Sequence, residues 1–285
     1  MTFKRRLIQF LDHPGGRAIL SRLGTAYARS RTGLDAQVFY DDAWIRRMGR
    51  WYLAESSRFH WEAEAVAKWK EDLRELLDIH RDWWFYRYQP AEGDVIVDVG
   101  AGIGDDALVF SKAVGGQGRV LSIEAHPATF RLLEKTCRYN RLENTQPIHC
   151  ALMDKSGTVF IEDRESYQGN TIRSDNEGGE LRHSVAGVTL DDLCDEHRVG
   201  RIDFLKMNIE GAERLAIGGM ERMIPNIRHV SIACHDFLAG DGEFYRTKAL
   251  VAGFLRAKGF EVCSRDDHPE PWVRDQVHGV RPGAT

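Results

Sequence analysis

Residues 95–106 read VIVDVGAGIGDD, an apolar run followed by a turn that holds three glycines in five positions. The run predicts a buried strand, and the turn predicts the first strand-to-helix crossover of a parallel α/β sheet. Ligands of such sheets bind at the carboxyl ends of the strands, so this turn is expected to border a ligand. Gly100, Gly102 and Gly104 would let the backbone approach it without Cβ atoms in the way. The alternative is that these glycines only tighten the turn.

Two carboxylates directly after the turn narrow the choice of ligand. Asp105 occupies the place of the third glycine of the dinucleotide-binding motif G-x-G-x-x-G, and Asp106 follows it. Both would repel a pyrophosphate and suit a cationic ligand without phosphate, such as S-adenosylmethionine with its sulfonium and amino groups. Glu124, at the end of the second predicted strand, can accept hydrogen bonds from both hydroxyls of a ribose. The pattern therefore favours S-adenosylmethionine over a nicotinamide cofactor.

The chain divides into two regions around this turn. Residues 91–285 alternate short apolar runs with helical stretches, which is typical of βαβ units, and end in a predicted antiparallel pair of strands. Within this region, polar residues 154–187 predict a hairpin and an irregular loop. Residues 1–90 are predicted to form a basic arm and a helical cap, with two or three helices over residues 41–89. The cap holds six of the seven tryptophans, so it is expected to bury aromatic surface against the sheet domain or against a second copy in a homodimer.

The basic arm contrasts with the rest of a chain whose net charge is −4. Residues 1–34 carry seven lysines and arginines and one aspartate, interleaved with apolar residues. One interpretation is peripheral contact with a membrane surface or a polyanion. The other is a solvated basic arm that packs on the protein body or on a partner subunit.

Composition places the chain among soluble globular proteins, at 42% hydrophobic and 29% charged residues. No apolar run approaches the roughly 20 residues that span a bilayer, and no secretory leader is evident, so we expect a cytoplasmic location. The acidic net charge gives no general attraction to nucleic acid. The five cysteines stand singly, which predicts reduced core thiols and not a zinc site or a disulfide framework.

A series of further motifs resembles the FkbM-type S-adenosylmethionine-dependent methyltransferases. The resemblance runs from about Gly93 to Phe237. It rests, in chain order, on VDVGAGIG (97–104), IEAHP (123–127), Asn140, ALMDKSG (151–157), GNT (169–171), VTLDDL (188–193) and IDFLKMNIEGAE (202–213). Two departures stand against it: Asn208 replaces the aspartate of the family's KxDxEG motif, and the fifth strand ends in CHDF.

The resemblance implies an α/β fold of the class I methyltransferase type, which is Rossmann-like with a mostly parallel seven-stranded sheet. It also implies O-methylation, often of sugar hydroxyls in glycans, glycolipids or antibiotics. Together with the glycine turn, it implies that S-adenosylmethionine is bound by Asp98, Gly100, Ala101, Gly102, Gly104, Glu124 and Ala151. Two rival functions stay open: a methyltransferase of the same fold with a non-sugar acceptor, and a non-catalytic scaffold that binds the cofactor.

Methylation of a hydroxyl needs a base, a metal or both, because an alcohol is a weak acid. The carboxyl ends of the fourth and fifth predicted strands supply Asn208, Glu210, His235 and Asp236. In one version Glu210, Asp236 and Asn208 bind Mg²⁺ while His235 accepts the proton. In the other no metal binds, and His235 or Glu210 is the base. The structural alternatives are helix N-terminal carboxylates for Glu210 and Glu213 and, for His235, a strand-end histidine with no catalytic role.

One cation is predicted inside the fourth strand. Lys206 lies in the apolar run IDFLKM, where an unpaired charge would be costly. We therefore expect it to pair with Asp98 or Glu210 and to order the site.

Overall fold

The computed structural model describes residues 3–59, 73–162, 172–173, 182–241 and 243–283. The chain begins with helices α1 (Phe3–Leu11) and α2 (Arg17–Thr32), antiparallel strands β1 (Ala36–Tyr40), β2 (Trp44–Met48) and β3 (Trp51–Ser56), and helix α3 (Leu73–Asp82). Helices α1 and α2 contribute Ile8, Leu11, Leu20 and Ala28 to a hydrophobic cluster that also contains Val38 and Trp44. The basic arm is thus folded onto the small sheet formed by β1, β2 and β3.

Our prediction of helices over residues 41–56 is wrong. This segment forms β2 and β3, which pair around a two-residue turn at Gly49 and Arg50. Gly49 has a φ of 54°, a conformation that two-residue hairpin turns require and helices do not contain. Over so short a stretch the spacing of the apolar residues fits the period of a helix as well as that of a strand, and the turn at Gly49 determines that the segment forms strands. The helix predicted around Leu73, Leu76 and Leu77 is confirmed as α3.

The remaining elements form the sheet domain. In chain order they are β4 (Val95–Val99), α4 (Asp105–Ala113), β5 (Arg119–Ile123), α5 (Pro127–Asn140), β6 (Thr145–Ile148), β7 (Ala151–Leu152), β8 (Gly157–Glu162), β9 (Ile172–Arg173), β10 (Arg182–Val188), α6 (Leu190–Glu196), β11 (Ile202–Met207), α7 (Glu213–Ala216), β12 (Ile227–Ala233), α8 (Lys248–Ala257), β13 (Glu261–Cys263), α9 (Pro271–Arg274) and β14 (Gln276–Val280).

Seven of these strands build the central sheet, in the order β13–β14–β12–β11–β4–β5–β6. All neighbours pair in parallel except β14, which runs antiparallel to both β12 and β13. The predicted parallel strands and the closing antiparallel pair are therefore confirmed. The chain winds outward from β4 to β6 and then returns to β11 on the other side of β4. A crevice opens at the carboxyl ends of β4 and β11, where the direction of winding changes.

A smaller sheet, in the order β7–β10–β8–β9, contributes Ala151 and Ile161 to the lining of this crevice. Strands β8 and β10 pair antiparallel, which confirms the predicted hairpin in its described part. The GNT motif at 169–171 lies outside the described residues, as do Trp61 and Trp69.

The cysteines are unpaired, and four of the five are buried, in agreement with the predicted core thiols. No helix in the described ranges combines the length and the apolar composition needed to cross a membrane.

Candidate active site

A pocket lies at the carboxyl ends of β4, β5 and β11. Among the described residues that line it are Trp83, Trp84, Gly100, Ala101, Gly102, Asp105, Asp106, Glu124, Ala151, Asn208 and Glu210. Most of the predicted cofactor residues therefore meet at one place, together with two of the predicted catalytic or metal-binding residues. The lining contains none of Asp98, Gly104, His235 and Asp236, and each of these four has an identifiable role in the surrounding structure.

Gly100 is the point at which the first turn contacts the turn after β11. Its φ is 75°, and a Cβ atom there would lie 2.0 Å from the carbonyl oxygen of Asn208. The amide of Asn208 in turn donates to the carbonyl of Val99 at 2.9 Å. Only glycine permits this approach, which brings the two strand ends together at the floor of the pocket. Gly104 instead allows close packing of the turn against α5, since a Cβ atom at this position would lie 2.8 Å from the side chain of Leu133.

Glu124 is held in place by the backbone around it. Its Oε2 accepts a hydrogen bond from the amide of Gly102 at 2.9 Å, and its Oε1 accepts one from the amide of His126 at 2.8 Å. Burial raises the pKa of this carboxyl to about 7, although both amide hydrogen bonds oppose the shift. Each oxygen keeps a lone pair for a further donor. A carboxylate fixed in this way at the end of the second strand fits the two hydroxyls of a ribose.

Asp98 lies beneath the pocket and is completely buried. Its Oδ1 is 2.8 Å from Nζ of Lys206, which also donates to the carbonyl oxygen of Gly100 at 2.8 Å. Burial lowers the pKa of Lys206, but the carboxylates of Asp98 and Asp106 outweigh it and raise that pKa above its usual value. Lys206 is thus charged, and one of the two pairings expected for it is present. Through this ion pair, Asp98 supports the glycine turn from below.

Asp105 and Asp106 differ in what they contact. Asp106 Oδ2 is 3.3 Å from Nζ of Lys206, and its Oδ1 is 2.9 Å from Nε2 of His80 on α3. Burial lowers the pKa of His80, but the hydrogen bond and the charge of Asp106 raise it above the usual value. Asp105 is exposed and makes no ion pair with a described residue. The carboxylate available to a cationic ligand is therefore that of Asp105.

The turn after β11 presents Glu210 to the pocket. Glu210 has a φ of 54° and Gly211 a φ of 91°, so two successive residues adopt left-handed conformations. A non-glycine residue in this region is unusual, and such strain is found most often at functional sites. The side chain of Glu210 is 21% exposed, and burial raises its pKa, which the charge of His235 opposes.

Behind Glu210 lies His235, at the end of β12. Its Nε2 is 3.5 Å from Oε2 of Glu210, and its Nδ1 is 3.2 Å from Oε1 of Glu213. The side chain of His235 is only 6% exposed. Burial lowers the pKa of this histidine, but the two carboxylates outweigh burial and raise it. Glu210 is therefore the most exposed member of this group.

Glu213 is a site residue that the sequence reasoning considered only as a helix N-terminal carboxylate. It is completely buried, and its Oε2 accepts from the hydroxyl of Thr247 at 3.1 Å. Its Oε1 accepts from the amide of Gly211 at 3.3 Å and faces His235. The available signal was its spacing of three from Glu210, which places both carboxylates on one turn of chain beside the end of β12.

The predicted magnesium ligands are not assembled. Oδ1 of Asp236 accepts from the amides of Thr247 and Lys248 at 2.8 and 2.9 Å, so this carboxylate caps the start of α8. Asn208 and Glu210 line the pocket. Within the described parts of the chain, no group of three or more His, Cys, Asp or Glu side chains is arranged to hold a metal ion. The donor set at this edge does not fit the predicted cation.

The central sheet, with its one inserted antiparallel strand, and the glycine turn after its first strand define a class I methyltransferase fold. The family model described as "Methyltransferase FkbM domain" matches residues 98–262, more than half of the chain. The chain belongs to this family, and the resemblance found in its motifs is confirmed.

Two curated relatives carry functional names. The hexuronic acid methyltransferase AglP of Haloferax volcanii is 27% identical over 166 residues, which are 58% of this chain and 64% of AglP. The 31-O-demethyl-FK506 methyltransferase FkbM of Streptomyces tacrolimicus is 27% identical over 207 residues, covering 61% of this chain and 75% of that protein. The chain thus spans less than two thirds of AglP.

Among solved structures, the methyltransferase FkbM from Methylobacillus flagellatus KT aligns with a TM-score of 0.46 at 19% identity. The alignment covers 67% of this chain and 44% of that one.

Proposed function

We propose that the protein is an S-adenosylmethionine-dependent O-methyltransferase that acts on a hydroxyl group of a saccharide or of a glycosylated natural product. Membership of the FkbM family and the names of the two curated relatives support methyl transfer to such acceptors. The observation that carries the proposal is the position of Glu210. It faces the pocket at the edge of the predicted cofactor residues, with His235 and Glu213 behind it.

The residues of the pocket fit the cofactor. Glu124 would accept hydrogen bonds from its ribose, Asp105 would face a cationic group, and the bare turn at Gly100 and Gly102 would allow the backbone to approach it. Ala151, which is buried at the pocket wall, leaves room beside them. When bound, S-adenosylmethionine supplies an activated methyl group, and its transfer to a hydroxyl oxygen leaves a neutral thioether and one proton to be removed.

Glu210 is proposed to accept that proton. Its raised pKa makes it a stronger base than an ordinary carboxylate, and its partly exposed side chain lines the pocket in which the acceptor would bind. His235 is proposed as a positioning residue, because it is buried and its Nδ1 lies 3.2 Å from Oε1 of Glu213. Its Nε2 then faces Glu210 and can share the proton. The proposal assigns no role to Mg²⁺, since Asp236 is engaged at the start of α8.

The test is a methyl-transfer assay with isotopically labelled S-adenosylmethionine and a panel of hexuronic-acid-containing oligosaccharides, hexuronic acids and macrolides. The variant Glu210→Gln keeps the side-chain shape and removes the base. We expect its kcat to fall by about 10²–10⁴-fold, with the affinity for S-adenosylhomocysteine unchanged. The matched control is Glu243→Gln, which changes an exposed carboxylate.

Mild alkali distinguishes the products, since a methyl ether survives it and a methyl ester does not. An ester product that forms at the wild-type rate in Glu210→Gln would overturn the hydroxyl acceptor in favour of a carboxylate, which needs no base. Failure of the wild-type protein to bind S-adenosylhomocysteine in calorimetric titration would overturn the methyltransferase proposal as a whole.

A further inference from the structure

Helices α1 and α2 form a surface that is both basic and apolar. Neither helix contains an acidic residue. They also carry four of the ten exposed large hydrophobic side chains in the described part of the protein: Leu7, Phe10, Ile19 and Leu23, with exposed fractions of 47%, 73%, 48% and 60%. Exposed apolar side chains concentrated in one segment mark an interaction surface, whereas scattered ones do not.

These side chains point away from the protein body. On α2, Leu20, Gly24 and Ala28 are buried, while residues 18, 19, 22, 23 and 26 are exposed. This spacing places Ile19, Arg22 and Leu23 on the solvent side of the helix. On α1, Ile8 and Leu11 pack into the cluster shared with α2, which leaves Arg6, Leu7 and Phe10 outward. We name these exposed residues of the two helices the N-terminal face.

The charges of this face are not neutralised within the described chain. Arg17 pairs with Asp12 at 3.1 Å, and Arg29 pairs with Asp35 at 3.4 Å. Arg6, Arg22 and Arg31 are exposed and make no ion pair with a described residue. Guanidinium groups therefore remain free beside exposed leucine, isoleucine and phenylalanine side chains.

We propose that the N-terminal face binds an anionic lipid surface, with its arginines on the headgroups and its apolar side chains in the acyl boundary. A second copy of this chain is a poorer occupant, because a two-fold contact would place two acid-free basic surfaces against each other. A nucleic acid would satisfy the arginines but would leave Leu7, Phe10, Ile19 and Leu23 without apolar partners. An anionic lipid surface complements both properties.

The test is sedimentation of the full-length protein with vesicles of phosphatidylcholine, either alone or mixed with phosphatidylglycerol. We expect binding to the mixed vesicles, weak binding to phosphatidylcholine alone, and a decrease with added salt. The variants Ile19→Ser/Leu23→Ser and Arg22→Glu should each lower the affinity for mixed vesicles by about tenfold. All three positions are exposed, so circular dichroism is expected to show unchanged folding.

Two matched controls lie on α8, outside the N-terminal face. Leu250→Ser changes a leucine that is 47% exposed, and Arg256→Glu reverses an exposed arginine. Both should bind mixed vesicles as the unmodified protein does. Equal losses in the control and N-terminal variants would overturn the proposal, and so would equal binding to both vesicle types. A vesicle-free dimer that Ile19→Ser/Leu23→Ser dissociates would assign the surface to a second copy, and tighter binding of an oligonucleotide than of vesicles would assign it to a polyanion.

Discussion

The carboxylate of Glu124 is held by two backbone amides, and burial raises its pKa to about 7. If this carboxylate binds the ribose as proposed, cofactor affinity is expected to depend on pH. Ribose hydroxyls donate to the ionised form, so binding should favour loss of the proton. The affinity for S-adenosylhomocysteine is therefore expected to fall as pH drops through about 7, approaching about tenfold per pH unit below it. Calorimetric titration over this range measures the effect.

The control for this prediction is Glu124→Gln, which keeps the shape and has no proton to lose. Its affinity should be lower, by about tenfold or more for the loss of charge-assisted hydrogen bonds, and independent of pH over the same range. A variant that keeps the pH profile of the unmodified protein would show that another group controls binding.

Lys206 is the cation that pairs with the carboxylates of Asp98 and Asp106 beneath the glycine turn. Lys206→Met would leave Asp98 buried without its partner, and removal of one member of a buried ion pair costs about 3–5 kcal/mol in the free energy of unfolding. Urea denaturation followed by circular dichroism measures this loss. The double variant Asp98→Asn/Lys206→Met should be more stable than Lys206→Met alone, because the uncompensated charge is gone. Equal stabilities would mean that Asp98 and Lys206 are not coupled.

Among single residues, the sequence allowed prediction of those whose environment is set by one strand and the turn that follows it. Glu124 and the glycines belong to this class, since a strand followed by a glycine turn defines their environment. The pairing of Asp98 with Lys206 was among those expected from the sequence. The roles of Glu213 and Asp236, by contrast, depend on contacts with later elements of the chain. Asp236 shows this clearly, because its partners are the amides of Thr247 and Lys248 at the start of α8, which the sequence gives no reason to place beside it.

Helix α3 contacts the sheet domain through His80, which pairs with Asp106, and through Asp82, which pairs with Arg265 at 3.0 Å. Nδ1 of His80 lies 2.8 Å from the carbonyl oxygen of Leu76, and its Nε2 faces Asp106 at the first turn of α4. Burial lowers the pKa of His80, but Asp106 raises it above the unfolded value, so the protonated form stabilises the folded state. This stabilisation is complete below the unfolded pKa of about 6.5 and is lost as pH rises through the folded value.

His80→Gln tests this contact between α3 and α4. The variant should be less stable than the unmodified protein at acidic pH, and the difference in the free energy of unfolding should shrink as pH rises. Urea denaturation at a series of pH values measures it, with His149→Gln, an exposed histidine, as the control. A difference that is constant with pH would show that the protonation of His80 does not contribute.

Among whole elements, the parallel strands and their helices could be predicted from the sequence, because each βαβ unit has its own hydrophobic periodicity and its own turn residues. The segment 41–56 did not. Its apolar residues fit a helix by spacing, and what makes them strands is the turn at Gly49 and the packing of β3 on α5. The N-terminal cap is consequently a mixed layer of helices and antiparallel strands.

At the scale of the whole molecule, side chains of α5 connect the N-terminal cap to the sheet domain. Asn140 accepts from the amide of Tyr52 at 2.9 Å and donates to its carbonyl at 2.6 Å, and the hydroxyl of Thr136 accepts from the amide of Ala54 at 3.1 Å. The rings of Tyr52 and Tyr139 stack at 5.3 Å. The boundary predicted at residue 90 therefore separates two parts that share buried contacts.

Because of these contacts, residues before and after 90 should unfold together. We expect one calorimetric transition whose calorimetric and van't Hoff enthalpies agree. S-adenosylhomocysteine at a hundred times its dissociation constant should stabilise the folded state by about 2.7 kcal/mol and shift the whole transition upward. Glu124→Ala, which removes the carboxylate proposed to bind the ribose, should unfold in one transition that the same ligand concentration moves much less. A second transition that the ligand leaves in place would show that the cap unfolds independently, and the contacts of Asn140 and Thr136 would then not couple the two parts.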